Sequence, residues 1–394
     1  MGGSLNNIYN NVSLAMHLHT NAMARLQEQA STGSRINRIS DDSSTGYQVL
    51  GLNSQQSSIK NYIDNLSDAM STLEFSSTIF QNIISAIAET EVRLTQVSSG
   101  IYNEENRQRT AEGINEILEQ MVSLVNTEHN GQYLFGGGAT SSAPYLIERE
   151  NGKITSITYQ GSYTNRKIEV APGLESSVFQ VGDDIFRSDD RGTPAFWGDT
   201  GAACGTGTSS VRGNTWLAVT GSAGNYTLSI DGGLTTFNTD GTDTNLMVTS
   251  SVTGEVLYVD TTGITAVGTD LVSVPGTYDL LNALISVRDI LTNENSLSES
   301  QLRELQNVSL NSLEEVEELL VQAEVTVGSK IGFLDDLKES LTDLRYNAED
   351  ESTRLQEADI AQIAIDLSRR EVLYEMSLSI AGRLMSMSLL DFIW

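Results

Sequence analysis

The sequence predicts a mainly α fold with a β-rich insert: a terminal α-helical coiled coil, a long helical bundle rod, and one or two central β domains. Three observations lead there. The two ends of the chain, about 350 residues apart, repeat apolar residues at three-four spacing, the mark of a narrow helical seam. Two long inner stretches keep the same spacing. All four prolines and 22 of the 33 glycines fall between Gly131 and Pro275, so strands and turns are concentrated in the middle.

Taken in order, Tyr9, Val12, Met16, His19, Met23, Leu26 and Ala30 form the first seam. A short charged turn follows, and then Ile59 to Val97 hold the heptad with only two polar slots, Ser76 and Thr90. At about 1.5 Å per residue such a helix is roughly 60 Å long, which suits a rod. Gly100 and its polar neighbours interrupt it; Ala111, Ile114, Leu118, Met121 and Val125 restart the spacing, with Asn130-Gly131 expected as the stop. In the insert, Ile154–Tyr159, Lys167–Val170, Thr215–Val219, Tyr226–Ile230, Leu246–Thr249 and Val256–Val259 read as strands, with Asp231-Gly232 and Asp240-Gly241 as turns. Beyond it a short helix around Leu280, Leu284 and Ile290 leads through a loop into a seam from Leu313 to Ala348 that includes Leu344, with Lys330 in one core slot. The last seam is Ile360, Ile363, Leu367, Tyr374, Leu378, Ala381 and Met385. The expected domains are residues 1–44 with 352–394 as a terminal coiled coil, 45–190 with 276–351 as a helical rod with a β-rich edge, and 191–275 as a β domain.

Charge follows the same division. Residues 1–44 and 352–394 together carry about −2 of the formal −29, leaving about −27 for the middle. Near-neutral ends can pack against copies of themselves, while the acidic middle keeps the surface solvated. Phosphate recognition needs a basic face, so nucleic acid is not an expected partner. No stretch approaches the length and apolarity of a membrane span, and no cleaved signal peptide is expected at the start.

Chemistry-bearing residues are sparse. His17 and His19, two apart, point to different faces of a helix; His19 is expected to fill a seam slot and His17 to face solvent. His129 is placed near a helix end, where an imidazole can meet the last carbonyls. Cys204 is the only cysteine and has no nearby histidine to activate it. The acidic loop Asp240–Asn245 lacks the spaced ligands and closing glutamate of a calcium loop. No catalytic residue, metal ligand or cofactor is assigned, and the expectation is a building block, not an enzyme.

Residues 26–42 read LQEQASTGSRINRISDD. Gly33 lets the chain leave the helix, Arg35 and Arg38 offer charge partners to Asp41 and Asp42, and Asp42 or Ser43 can cap the next helix, with Asn37 between them. With its STG, RIN and DD elements this turn resembles that of the flagellin superfamily. Within the superfamily, three further segments are similar to its hook-filament junction branch more than to the filament subunit. They are GQYLFGGG at 131–138, the run ITYQG, RKIEV and VGDDIF within 157–186, and the tail MSLLDFIW; Ser162 stands where that branch commonly has Asp. Residues 190–275 carry no resemblance and lie where such families vary, and HExxH, the metalloprotease motif of some flagellins, does not occur.

The resemblance implies a structural axial component of the bacterial flagellum, self-assembling as a ring or helix with flagellin above and another hook-associated protein below. It also implies delivery by a flagellar export chaperone and the type III system to an extracellular position. The assembly residues would be Tyr9, Val12, Met16, Met23, Leu26, Ile360, Ile363, Leu367, Leu378 and Met385, and the interdomain turn Gly33, Arg35, Asn37, Arg38, Asp41 and Asp42. Five methionines beyond the initiator lie in the terminal segments, a polarizable side chain suited to two kinds of neighbour. A flagellin-type filament subunit is the alternative; a surface adhesin or glycan-binding module using Trp197 and Trp216 as stacking platforms is a remote one.

Overall fold

The computed structural model describes residues 2–38, 40–98, 104–150 and 152–392. Three helices come first, α1 (Gly2–Thr32), α2 (Ser43–Ser98) and α3 (Glu104–Val125); the expected interruption at Gly100 lies outside the described residues. Six short strands follow, β1 (Glu128–His129), β2 (Gln132–Tyr133), β3 (Tyr145–Glu150), β4 (Lys153–Tyr159), β5 (Arg166–Ala171) and β6 (Leu174–Phe179), and then the short helix α4 (Gly182–Phe186). The insert continues with β7 (Ala195–Trp197), β8 (Ala203–Cys204), β9 (Gly213–Ser222), β10 (Asn225–Ser229), β11 (Phe237–Thr239), β12 (Leu246–Thr249), β13 (Val256–Asp260) and β14 (Gly268–Val274). Three helices close the chain, α5 (Leu280–Thr292), α6 (Glu299–Gln356) and α7 (Ile360–Phe392). The mainly α class with a β-rich middle is therefore the one observed. Two compact units result: Met1–Asp64 with Leu337–Trp394, and Asn65–Asp336.

In the second unit both rows of the α2 seam are buried from Leu66 to Val97. Its two polar slots satisfy themselves, Ser76 Oγ donating to the Thr72 carbonyl at 3.0 Å and Thr90 Oγ1 to that of Ala86 at 2.9 Å, so neither hydroxyl is an orphan. Helix α6 behaves differently. The row Leu313, Leu320, Val327, Leu334 and Leu341 stays buried, while the row three residues on opens from Val316 through half-buried Ala323, Lys330 and Leu337 to Leu344, which is 48% exposed. A straight helix drifts about 20° per heptad against a strict seven-residue repeat, so the flanking row turns outward. Leu344 is thus not the core position its spacing predicts. Lys330 stretches across to donate to Ser177 Oγ at 3.1 Å.

Two of the junction-like segments, GQYLFGGG and the 157–186 run, meet in space. Phe135 of GQYLFGGG and Phe186 of VGDDIF lie edge to face at 5.0 Å, both against Phe80 of α2. Tyr145 joins this cluster at 6.2 Å from Phe186, and Tyr159 of ITYQG stacks on Tyr145 at 5.2 Å. The Tyr159 hydroxyl lies 3.1 Å from the carbonyl oxygens of both Phe135 and Ser162, and burial pushes it up to about 12. The glycines are there because backbones touch: at Gly137, with φ of +58°, a Cβ would sit 2.4 Å from the Ser162 carbonyl oxygen and 2.9 Å from that of Thr164. Ser162, the departure from the resembled motif, shares its hydroxyl with that of Thr164 at 2.8 Å.

Two expectations here are corrected. α3 ends at Val125, and Asn130-Gly131, at φ of 52° and 73°, form the two-residue turn of the β1–β2 hairpin instead of a helix stop, because both residues accept the left-handed conformation such turns require. His129 accordingly stacks on Phe75 at 5.0 Å and caps no helix.

All six expected strands form, the last four of them in a single sandwich. A five-stranded antiparallel sheet, β11-β10-β9-β14-β7, and a three-stranded sheet, β12-β13-β8, share one core that includes Val211, Leu217, Leu228, Val248, Leu257 and Val259. The other face of the larger sheet packs Leu271, Trp197 and Trp216 onto Ile290 of α5 and Leu302, Leu305 and Val308 of α6. Trp197 Nε1 donates to Ser273 Oγ at 2.8 Å. Both tryptophans are thus half-buried packing residues of this face. Cys204 is half-buried and its thiol is pushed up by burial, away from nucleophilic use.

Two tests follow from this unit. Gly137→Ala combines strain with backbone overlap and should cost about 1–3 kcal/mol, whereas Gly152→Ala, where a Cβ meets open space, should cost less; urea unfolding followed by tryptophan fluorescence compares them. Asp279 caps α5 through the amides of Leu281 and Asn282, and burial, with Asp183 nearby, raises its carboxyl from 3.8 to about 6. The folded protein therefore keeps a proton that the unfolded chain has lost, a contribution complete below 3.8 that fades as pH rises through 6. Asp279→Asn keeps the cap but has no such pH term, so its stability relative to the parent should rise between about pH 4 and 7 in urea titrations.

Candidate assembly site

In the first unit α1 and α7 pack along each other, which places the two ends of the chain side by side. Their register depends on two turns. Helix α1 ends at Thr32 because Gly33 takes φ of +69°, a conformation open to glycine and strained for other residues; there is free space around it, so backbone shape and not crowding selects glycine. The Gly33 carbonyl accepts from the Ala358 amide at 3.0 Å, and the Arg35 amide donates to the Gln356 carbonyl at 2.7 Å. Ser34 and Glu357 form an antiparallel bridge between these bonds. The α1–α2 turn is thus hydrogen-bonded, backbone to backbone, to the α6–α7 turn.

Side chains tighten the first turn. Gln29 Nε2 donates to the Arg35 carbonyl at 2.7 Å, and Asn37 links Thr32 Oγ1 at 3.0 Å to the Ser34 carbonyl at 3.3 Å. Asp41 accepts from the amides of Asn37 and Arg38 and pairs with Arg25. Asp42 caps α2, accepting from the Thr45 amide at 3.1 Å and hydroxyl at 2.7 Å, and pairs with Arg35 at 3.3 Å. Arg38 departs from the expected pairing. Its guanidinium reaches Glu28 at 3.2 Å, and only its amide meets Asp41. Arg25, ten residues before Arg35 on the preceding helix, takes that carboxylate instead. Asp359 caps α7 in the same way, accepting from the Gln362 amide at 3.0 Å.

The seams along the helix pair are incompletely covered. Val12, Met16, His19, Met23 and Leu26 are half-buried, as are Leu367, Tyr374 and Ala381; Ile363 is buried. Ala30, Ile360 and Leu378 are exposed, and Tyr9 and Met385 fall outside the described side chains. His17 faces solvent and His19 Nδ1 lies 3.4 Å from Arg370 Nη1 across the pair. Spacing did not single out a second apolar row on the outer faces: Leu14 and Leu18 on α1, and Ile365, Val372, Met376 and Ile380 on α7, each at least half exposed. Two apolar rows on one surface helix are more than a single partner covers.

Residues 4–140 match the family described as the bacterial flagellin N-terminal helical region. The chain is 28% identical over 162 residues to flagellar hook-associated protein 3 of Escherichia coli (strain K12), 41% of this chain and 49% of that protein. It is 25% identical over 169 residues to flagellin A of Helicobacter pylori, 42% of this chain and 30% of that protein. The chain thus spans about half the length, or less, of the curated relatives it matches. In fold it is similar to flagellar hook associated protein-3 from Legionella pneumophila, with a TM-score of 0.54 over 77% of this chain and 98% of that one at 16% identity.

Gly33→Ala should destabilise the first unit by about 1 kcal/mol, read as lost amide protection at Arg35 and Ala358. The Asp41 carboxyl is held below its ordinary value chiefly by the Arg25 hydrogen bond, and that of Asp42 chiefly by the Thr45 hydroxyl. Depressed values make this contribution complete above the ordinary carboxylate pKa and lost as pH falls through the lowered ones. Exchange protection of the Arg38 and Thr45 amides should therefore persist above the ordinary carboxylate range and fall as the pH is taken below it. Asp42→Asn should make protection at Thr45 insensitive to this change.

Proposed function

We propose that this chain is a structural axial component of the bacterial flagellum, positioned at the junction of hook and filament and working by subunit packing. The observation that carries the reading is the terminal helix pair: a half-covered seam inside and a second apolar row outside. Helices draw most of their stability from packing, and this pair is incompletely buried, so α1 and α7 become fully ordered when neighbouring subunits cover both rows. Folding of the ends is thereby coupled to assembly. The names of the Escherichia coli and Legionella proteins favour the junction over the filament.

On this reading the partners are other copies of the chain, flagellin above and another hook-associated protein below. A cytoplasmic chaperone would cover the terminal helices before export through the flagellar type III system to the extracellular side. The terminal helix pair is the part of the chain that assembles. The matched flagellin A keeps a filament subunit as the second reading, and abundance separates the two, since a filament subunit is the bulk protein of sheared flagella and a junction component a trace one.

Limited proteolysis of the free chain tests the coupling. Residues 1–40 and 355–394 should be cut well before residues 59–97, and equal resistance would sink the idea. The triple substitution Ile365→Ser, Val372→Ser and Met376→Ser should abolish self-association while leaving the thermal transition of the second unit unchanged.

A further inference from the structure

A groove of about 590 Å³ runs beside the turn in the first unit, lined by Leu26 and Leu373 and by four arginines, Arg25, Arg35, Arg369 and Arg370. Leu373 is 38% exposed there. Three carboxylates also line it, but Asp41 and Asp42 are already engaged by Arg25 and Arg35. Asp366 is left beside two adjacent, exposed guanidinium groups, neither of which has a carboxylate within ion-pair distance among the described residues. In a chain of net charge −29 this is a local excess of cation over an apolar lining.

The complement lies on the same unit. Glu339, Asp343 and Asp350 of α6 are all exposed, and spacings of four and seven residues put them on one helix face. None of the three has a hydrogen-bond or ion-pair partner among the described residues. Between copies of so acidic a protein, such faces repel unless each is set against positive charge. We propose that the groove between α1 and α7 receives the acidic α6 face of a second copy of this chain, Arg369 and Arg370 meeting Glu339, Asp343 and Asp350. Donor and acceptor surfaces are different patches, so the contact is heterologous: every subunit that fills a groove offers its own groove or acidic face to the next, and rings or helices follow from it. This inference rests on the self-assembly reading above and adds to it which surfaces meet.

Charge exchange on the full-length chain tests it. In sedimentation velocity, Arg369→Glu with Arg370→Glu should lose self-association, and so should Glu339→Lys with Asp343→Lys and Asp350→Lys. An equimolar mixture of the two variants should associate again, because each supplies the surface the other lacks. Association of the parent chain should weaken by at least tenfold between about 0.05 and 0.3 M salt, since exposed charges are screened over a Debye length of about 6–14 Å in that range. Far-UV circular dichroism checks that all variants remain folded. If either variant associates like the parent, or the mixture stays monomeric, the groove is not the α6 site, and the apolar-row triple variant still decides the assembly reading by itself. A parent chain that stays monomeric at every concentration overturns both.

Discussion

Everything in the terminal unit depends on a pair of backbone hydrogen bonds between two turns, Gly33 to Ala358 and Arg35 to Gln356. They join residues more than 300 positions apart. Closing so long an excursion is less costly than its length implies, since loop entropy rises only with the logarithm of the number of residues. The second unit reduces the cost further by folding the intervening chain. What the turns add is register. With Ser34 bridged to Glu357, the first residue of α7 starts at a set height against α1.

The insert is accommodated by a different device. Here strands too short to hold together alone are tied to the helices by aromatic rings and by glycine contacts. Phe80 of α2, Phe135 and Phe186 make a cluster to which three separate segments contribute, and Gly137 and Gly182 let their backbones approach without Cβ atoms between them. The sandwich beyond is anchored through Trp197, Trp216 and Leu271 to α5 and α6. Its outer parts can change in sequence without disturbing these anchors, a physical account of why a stretch with no family resemblance sits inside a recognisable frame.

How much could be read from residues alone depended on the range of the interaction. The α2 seam was legible because Leu66 to Val97 repeat over many turns and every slot is covered. The α6 seam was legible only in part: drift of the flanking row, which exposes Leu344, is a property of helix geometry and not of the residue at the slot. Strands of two or three residues such as β7, β8 and β11 have no period to read, and β14, apolar on both faces, does not alternate. At the turn, Gly33 and the Asp42 cap were local and legible, while Arg25 and Glu28 were not. They reach the turn from the helix before it, and in sequence the nearer arginines were the natural partners for Asp41 and Asp42. The exposed apolar row on α7 was hidden for a similar reason, since apolar spacing alone does not say which of two stripes a partner helix will cover.

The pairing of α1 with α7 also bears on the order of events during synthesis. Helix α1 has its partner α7 more than 300 residues later in the same chain, so during synthesis it stays unpaired until residues beyond 359 have been made. A chain cut short between residues 337 and 359 keeps all of the second unit and loses α7, the mate of α1. Such a shortened chain keeps α1 with its apolar rows uncovered and lacks the α7 half of the surface proposed to join copies.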